Sequence, residues 1–513
     1  MLKKFSSSFY ATFLVAFALV AVKKWEPGGN LDSLWYSAIG RNVAQTGDYH
    51  HFFISPTFYP TVADHMPLTY WITGFIISLL GPSDFVARLY PMFMGILSYL
   101  FVYGIGCMIG ERAVSGETSD RATSSDIRER AARRGRHYGL AAVIAYVLAY
   151  GSSKWNGALM LDVPLTTYFL GAAYFLIRGL EKPKFYVWAA PFLVGAIMTK
   201  GPIVGGLPFA LLAWIVWDGQ WRILKSKPFW GAVTVSIAGL LVFCLPWFQL
   251  DGMNPFVYFY KAKQGYLATG SRSWIYHFAY LEVLWTNGAP LLLLFLYSSR
   301  AIFGRTVAQP LRSMIRLCFL VVICTVVPLS MFEVKFPHYM LPVYPFMALT
   351  CSWRIARWLE RYRERVPVVL SRIAIFAVFL LAFLPIQTSG GRSKETLNLV
   401  NVLKFDPSIN FGSNTHAPRR VLFMGTWNDD MAMFQSFKWW GNVNLETVTR
   451  EELVKPEMSQ NYVIVGVKNL PVSIAGRSRT EIDCLMINSL YCVIAPAGAQ
   501  FKMPDEKFPH QVY

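Results

Sequence analysis

Apolar runs recur along most of this chain, at 9–22, 67–81, 85–109, 138–151, 163–177, 186–199, 202–217, 229–248, 281–297, 314–331, 339–355 and 367–385. Each is read as a helix. Several fall short of the roughly 20 residues that a perpendicular span requires. Beyond residue 385 the pattern changes to short apolar stretches set among polar residues. Val421-Leu422-Phe423-Met424, Tyr462-Val463-Ile464-Val465 and Tyr491-Cys492-Val493-Ile494 read as buried strands, with helices over 429–440 and 450–454 between them. The expected architecture is therefore an all-α polytopic membrane domain over 1–388, followed by a small soluble α/β domain over 389–513.

Composition agrees. Of 513 residues 54% are hydrophobic and only 15% charged, more apolar surface than a soluble fold hides. The net charge of +18 does not call for nucleic acid, because Lys and Arg concentrate in short connections between apolar runs. Five of these, at 112–136, 178–184, 222–227, 300–312 and 354–365, are basic, and the positive-inside rule assigns all five to the cytoplasm with Lys3 and Lys4. That assignment holds only if run 67–81 lies in the outer interface instead of crossing, with Tyr70 and Trp71 at headgroup depth. About eleven spans then remain. The N-terminus is placed inside and the C-terminal domain outside. The start resembles a signal peptide, but no small-residue cleavage site follows the first run, so an uncleaved span is expected.

The same parity gathers polar residues from distant parts of the chain on the outer side. The first outer loop, 25–82, carries Asp32, Arg41, Asp48, His50, His51, Asp64 and His65. Asp32 lies a few residues past the first run, where partial desolvation suits a general base, or it is a solvated loop acid. Asp162, between apolar neighbours at the mouth of a run, is costly unless paired or functional, although Pro164 also fits a helix start capped by this aspartate. Lys200 precedes Gly201-Pro202 at a break between two runs, placed either to meet an anionic headgroup or to snorkel. Lys335 and His338 carry the same two readings, and Arg41 can clamp a phosphate or pair with an acid. His50-His51 and Asp64-His65 raise the question of a divalent metal without matching a known ligand spacing, and the sequence requires no cofactor. Five of the seven cysteines sit in apolar runs, while Cys484 and Cys492 fall in the soluble region and can be paired or free.

Several of these residues carry a resemblance. Asp32 with Tyr36, Arg41-Asn42, Gly47-Asp48-Tyr49, and the pair Asp64-His65 leading into Pro67-Leu68-Thr69-Tyr70-Trp71 resemble the first outer loop of the protein O-mannosyltransferase and lipid A aminoarabinose transferase family, GT-C membrane glycosyltransferases. Asp162-Val163-Pro164-Leu165, Thr199-Lys200-Gly201-Pro202 and Tyr339-Met340-Leu341-Pro342-Val343-Tyr344-Pro345 extend the likeness, in order, over about residues 9 to 390. It implies an inverting transfer of a sugar from a polyprenyl (undecaprenyl-type) phosphate carrier, on the outer face of a bacterial inner membrane. It implies Asp32 as the catalytic acid-base residue and Asp162 as the group that positions or activates the acceptor. Lys200 would bind the carrier phosphate and Tyr339 close the lipid cavity, with Tyr36, Arg41, Asp64, His65, Tyr70, Lys335 and His338 as further substrate contacts. Two positions depart from the family. Ser33 stands where Glu is common, and His65-Met66-Pro67 replaces Lys-Pro-Pro, which removes a lysine that makes a phosphate or acceptor contact.

By the same analogy the acceptor is lipid A or another envelope glycolipid, since the chain lacks the inserted domain of eukaryotic protein mannosyltransferases. A protein acceptor is the nearest alternative. A lipid or polysaccharide transporter predicts repeated halves and polar residues deep in spans, which the sequence does not show. A nonenzymatic scaffold leaves the grouping of Asp32, Asp162 and Lys200 unexplained.

Overall fold

In the computed structural model the described residues are 7–21, 29–55, 58–62, 65–115, 124–248, 274–304, 307–332, 335–360 and 365–383, parts of 396–403, then 420–425, 431–466 and short segments up to 496. The chain divides into two compact units. The first takes Met1–Lys24, Ala63–Thr69 and Arg88–Ile386; the second takes Trp25–Val62, Tyr70–Ala87 and Gln387–Tyr513. The first outer loop, apart from residues 63–69, thus clusters with the C-terminal region, a grouping that a linear division at residue 388 does not convey.

The helices, in chain order, are α1 (Ser7–Val20), α2 (Leu31–Thr46), α3 (Leu68–Leu80), α4 (Asp84–Ser115), α5 (Ser124–Val147), α6 (Tyr150–Trp155), α7 (Asp162–Gly179), α8 (Ala189–Lys200), α9 (Gly206–Asp218), α10 (Lys227–Phe248), α11 (Ala279–Ser299), α12 (Gln309–Ser330), α13 (Tyr344–Leu359), α14 (Arg365–Phe383) and α15 (Met431–Ser436). Every apolar run of the sequence overlaps one of them. Among the described residues three stretches are long and apolar enough to cross a membrane, Asp84–Val114, Tyr276–Ile302 and Gln309–Ser330. The basic connection at 112–136 is not all loop: α5 begins at Ser124, so its first half is polar and its second half apolar.

Glycines allow the close approaches in the first unit. Gly106 and Gly110 of α4 face Gly135 and Gly139 of α5, and a Cβ on Gly106 would come within 2.8 Å of the Gly139 Cα. Four-residue spacing on both helices puts the small residues in one stripe, the arrangement by which helices in lipid gain backbone-to-backbone packing. On the side of α9 and α12, Arg316 donates to Asp218 at 2.5 Å while the Trp214 indole N–H bonds the Ser313 carbonyl at 3.0 Å.

In the second unit α2 starts with Asn30, whose side chain accepts from Ser33 N at 2.8 Å, and ends at Gly47 in the left-handed region. Gly40 of α2 and Gly74 of α3 bring these helices together: a Cβ on Gly74 would lie 2.6 Å from Val43. The C-terminal part holds β1 (Val421–Met424), β2 (Glu446–Val448), β3 (Tyr462–Gly466), the two-residue pair β4 (Ser473–Ile474) and β5 (Arg477–Ser478), β6 (Cys484–Met486) and β7 (Tyr491–Ile494). Strands β2-β1-β3-β7-β6 form one sheet in that order, with β1 parallel to β2 and β3, and β7 antiparallel to β3 and β6. Leu422, Val448, Leu453, Val463, Val465 and Ile494 make its core. The three expected strands are present. The expected helix at 429–440 is α15 followed by a π turn, Phe437–Gly441, its first two residues lying outside the described set, and 450–454 holds only a 3-10 turn.

Candidate active site

In the first unit the polar residues singled out in the sequence converge. Asp162 is the first residue of α7, Lys200 the last of α8, where the chain turns at Gly201. The Lys200 Nζ lies 2.5 Å from Asp162 Oδ1, and both side chains are almost fully buried. Threonines complete the helix ends: Thr166 donates to the Asp162 carbonyl at 2.6 Å and Thr199 to the Gly195 carbonyl at 2.7 Å. The same ammonium sits 3.8 Å above the centre of the Tyr339 ring, a cation–π contact.

His338, in the 3-10 turn Pro337–Met340 that precedes α13, brings Nε2 to 3.8 Å from the second Asp162 oxygen, Oδ2. Its ring stacks on Phe336 and takes Trp155 edge-on at 5.8 Å. Burial holds the imidazole pKa down to about 4; the Asp162 carboxylate opposes this, while Lys200 and His65 add to it. His338 is therefore neutral at neutral pH, and Lys200 is the cation that faces Asp162. Lys335 donates to the Phe332 carbonyl at 2.5 Å and lies 4.3 Å over the Tyr276 ring.

In the second unit Asp32 stands in the first turn of α2, half-buried. Tyr36, one turn on, and Tyr70 of α3 are buried with ring centroids 5.9 Å apart, and Phe52 packs 5.0 Å from Tyr70. Arg41 donates to the Trp439 carbonyl. Asp48 accepts the backbone N–H groups of His50 and His51 at 2.8 and 3.0 Å, so this acid shapes the loop. Asp64 lies outside the described residues. The structure thus groups Asp162, Lys200, His338, Tyr339 and His65 in one unit, and Asp32, Tyr36, Arg41 and Tyr70 in the other.

Residues 130–247 match the family model described as dolichyl-phosphate-mannose-protein mannosyltransferase. No curated protein matches the chain. Among solved structures, ArnT from Cupriavidus metallidurans bound to undecaprenyl phosphate aligns at a TM-score of 0.63 and 16% identity, covering 95% of this chain and 97% of that chain. The apo state of the same protein gives 0.60 at 16% identity, covering 95% and 96%. The apo oligosaccharyltransferase of Archaeoglobus fulgidus gives 0.50 at 12% identity, covering 91% of this chain and 70% of that one. At such identities the likeness to the solved structures is one of fold; the matched segment adds kinship in sequence. The chain has an ArnT-like GT-C fold.

Within this GT-C fold the matched segment includes Asp162 and Lys200, so the ion pair sits where sequence kinship is detectable. Placing two opposite charges in a helix bundle costs several kcal/mol per ion before their attraction is counted, and burial of this kind persists where function keeps it. The ammonium donates to Asp162 Oδ1, and the carboxylate holds in place a cation of the kind that can meet an oxyanion. Sequence reasoning missed the aromatic wall of Trp155, Tyr276 and Phe336 around these groups. Its signal is weak, because aromatics near helix ends are common in any membrane protein.

Proposed function

We propose that this GT-C enzyme transfers a sugar, with inversion, from an undecaprenyl-type phosphate carrier to lipid A or another envelope glycolipid on the outer face of a bacterial inner membrane. The observation that carries the reading is the buried Lys200–Asp162 pair beneath the Tyr339 ring. The donor chemistry needs such a cation. As the acceptor oxygen bonds to the anomeric carbon, the bond from that carbon to the carrier oxygen breaks, and the departing lipid phosphate takes up charge that Lys200 is placed to meet. Asp32 is assigned as the base that removes the acceptor proton, and Asp162 as the group that holds Lys200 and orients the acceptor. The likeness to a protein described as bound to undecaprenyl phosphate supports the carrier.

Three features support outer-face chemistry. The basic connections cluster on one side by the positive-inside rule. Helix α3, assigned to the outer interface with Tyr70 and Trp71 at headgroup depth, leaves the later basic connections on the inner side. Cys492 is disulfide-bonded, as expected outside a reducing cytoplasm, whereas Cys107, Cys318, Cys324 and Cys351 are free. About eleven spans, an inside N-terminus and an outside C-terminus satisfy all three. A protein hydroxyl acceptor is the second reading, favoured by the family model matched at 130–247. Mass spectrometry of envelope lipids and glycoproteins, with and without the gene, decides between them. Loss of a sugar from a lipid supports the first reading, loss from a protein the second, and an unchanged envelope rejects both.

A further inference from the structure

Unit two contains a buried ammonium and a half-buried guanidinium to which the reaction proposed above gives no role. Lys438 lies in the π turn that follows α15, 7% exposed, with the Asn444 side-chain oxygen as a distant acceptor at 3.4 Å. Arg41, on α2, donates to the carbonyl of Trp439, the next residue, and its buried Nε has no hydrogen-bond partner. The two charges repel one another: burial first, and Arg41 second, bring the Lys438 pKa down to about 8. Among the described residues no carboxylate pairs with either. Around them the buried polar atoms are unusually unsatisfied. Both amide atoms of Gln435, the Ser436 hydroxyl and the Asn442 Oδ1 lack partners, and Gln435 and Ser436 are fully buried.

The turn that presents these groups is held from the other side. Asp84 accepts the indole N–H of Trp439 at 2.6 Å and that of Trp440 at 3.1 Å. Segments of π helix are rare and concentrate at functional sites. Burying an ammonium beside a second cation without a counter-charge is costly. A guanidinium fork and an ammonium close enough to repel each other is an arrangement that phosphate oxygens relieve.

We propose that Arg41 and Lys438 form an oxyanion site for a phosphate group, with the Ser436 hydroxyl and Gln435 amide as further donors. It is a second anion site. Arg41 follows Asp32 by nine residues, which is two and a half turns and about 14 Å along α2, so the two point to opposite sides of that helix. The phosphate can come from an anionic lipid headgroup or from a soluble phosphate.

Thermal unfolding of the purified full chain in neutral detergent tests this, comparing potassium phosphate with potassium chloride at equal ionic strength. A parallel arm compares nanodiscs of phosphatidylglycerol with those of phosphatidylcholine. The expected result is a saturable rise in melting temperature, on the order of 2–4 °C, lost in Arg41→Gln and Lys438→Met. A rise with free phosphate identifies a soluble source; a rise confined to phosphatidylglycerol identifies a lipid headgroup. Without either ligand Lys438→Met should melt higher than wild type, because a buried unpaired charge is gone. No rise in either arm, an equal rise in both variants, or a Lys438→Met protein less stable than wild type overturns the site. Sugar transfer is not read in this experiment, so its outcome is independent of the proposed reaction.

Discussion

At the scale of single residues, the Lys200–Asp162 pair decides most. With both partners almost fully buried at 2.5 Å, removing either strands a charge. Lys200→Met and Asp162→Asn should therefore each destabilise by about 3–5 kcal/mol, and the double variant by less than their sum. Denaturation of the four proteins in one detergent measures this coupling; additive losses would mean that the pair is not formed. The sequence marked these two residues by their expense, an aspartate and a lysine at the ends of apolar runs, and the structure brings them together across 38 positions of chain. It could not show that they meet each other, because a span end is compatible with snorkelling to water. Nor could it show that His338 is neutral, since that follows from burial and from the charges of Lys200 and His65.

At the scale of elements, the turn between α6 and α7 sets where Asp162 begins its helix. Gly157 within it has φ of 78°, and a Cβ there would meet the Val20 carbonyl of α1 at 2.5 Å. Gly157→Ala should cost about 1–3 kcal/mol in conformational strain before the backbone contact is counted. The variant should show a lowered melting temperature; an unchanged one would mean that α1 and this turn are not in contact. Strands at 421–424 and 462–466 were legible because four or five consecutive apolar residues bounded by polar ones admit little else at that length. Strand β2 was not legible: Glu446-Thr447-Val448 offers one buried position and sits at the sheet edge. The polar first half of α5 was read as connection because the apolar pattern begins only near Tyr138, whereas the backbone is already helical from Ser124.

At the scale of the whole molecule, the class of protein was legible and the grouping of its parts was not. Apolar runs separated by basic connections read as a polytopic membrane protein, and the motifs around Asp32, Asp162, Lys200 and Tyr339 led to the GT-C class, whose fold the chain shares and whose mannosyltransferase family model matches residues 130–247. The clustering of the first outer loop with the C-terminal region depends on contacts such as Phe58 against Phe434 at 4.9 Å and Arg41 on Trp439, between residues nearly 400 positions apart. Local patterning carries no record of such pairs. The central claim is sugar transfer from a polyprenyl phosphate carrier, and it is tested most directly by supplying a radiolabelled undecaprenyl phosphate sugar to the protein in nanodiscs made with envelope lipids. Label should pass to an envelope lipid with release of undecaprenyl phosphate, slowed on the order of 10²–10⁴-fold in Asp32→Asn, as removal of a general base requires. An intact donor with the wild-type protein, or transfer by Asp32→Asn at the wild-type rate, would contradict the account.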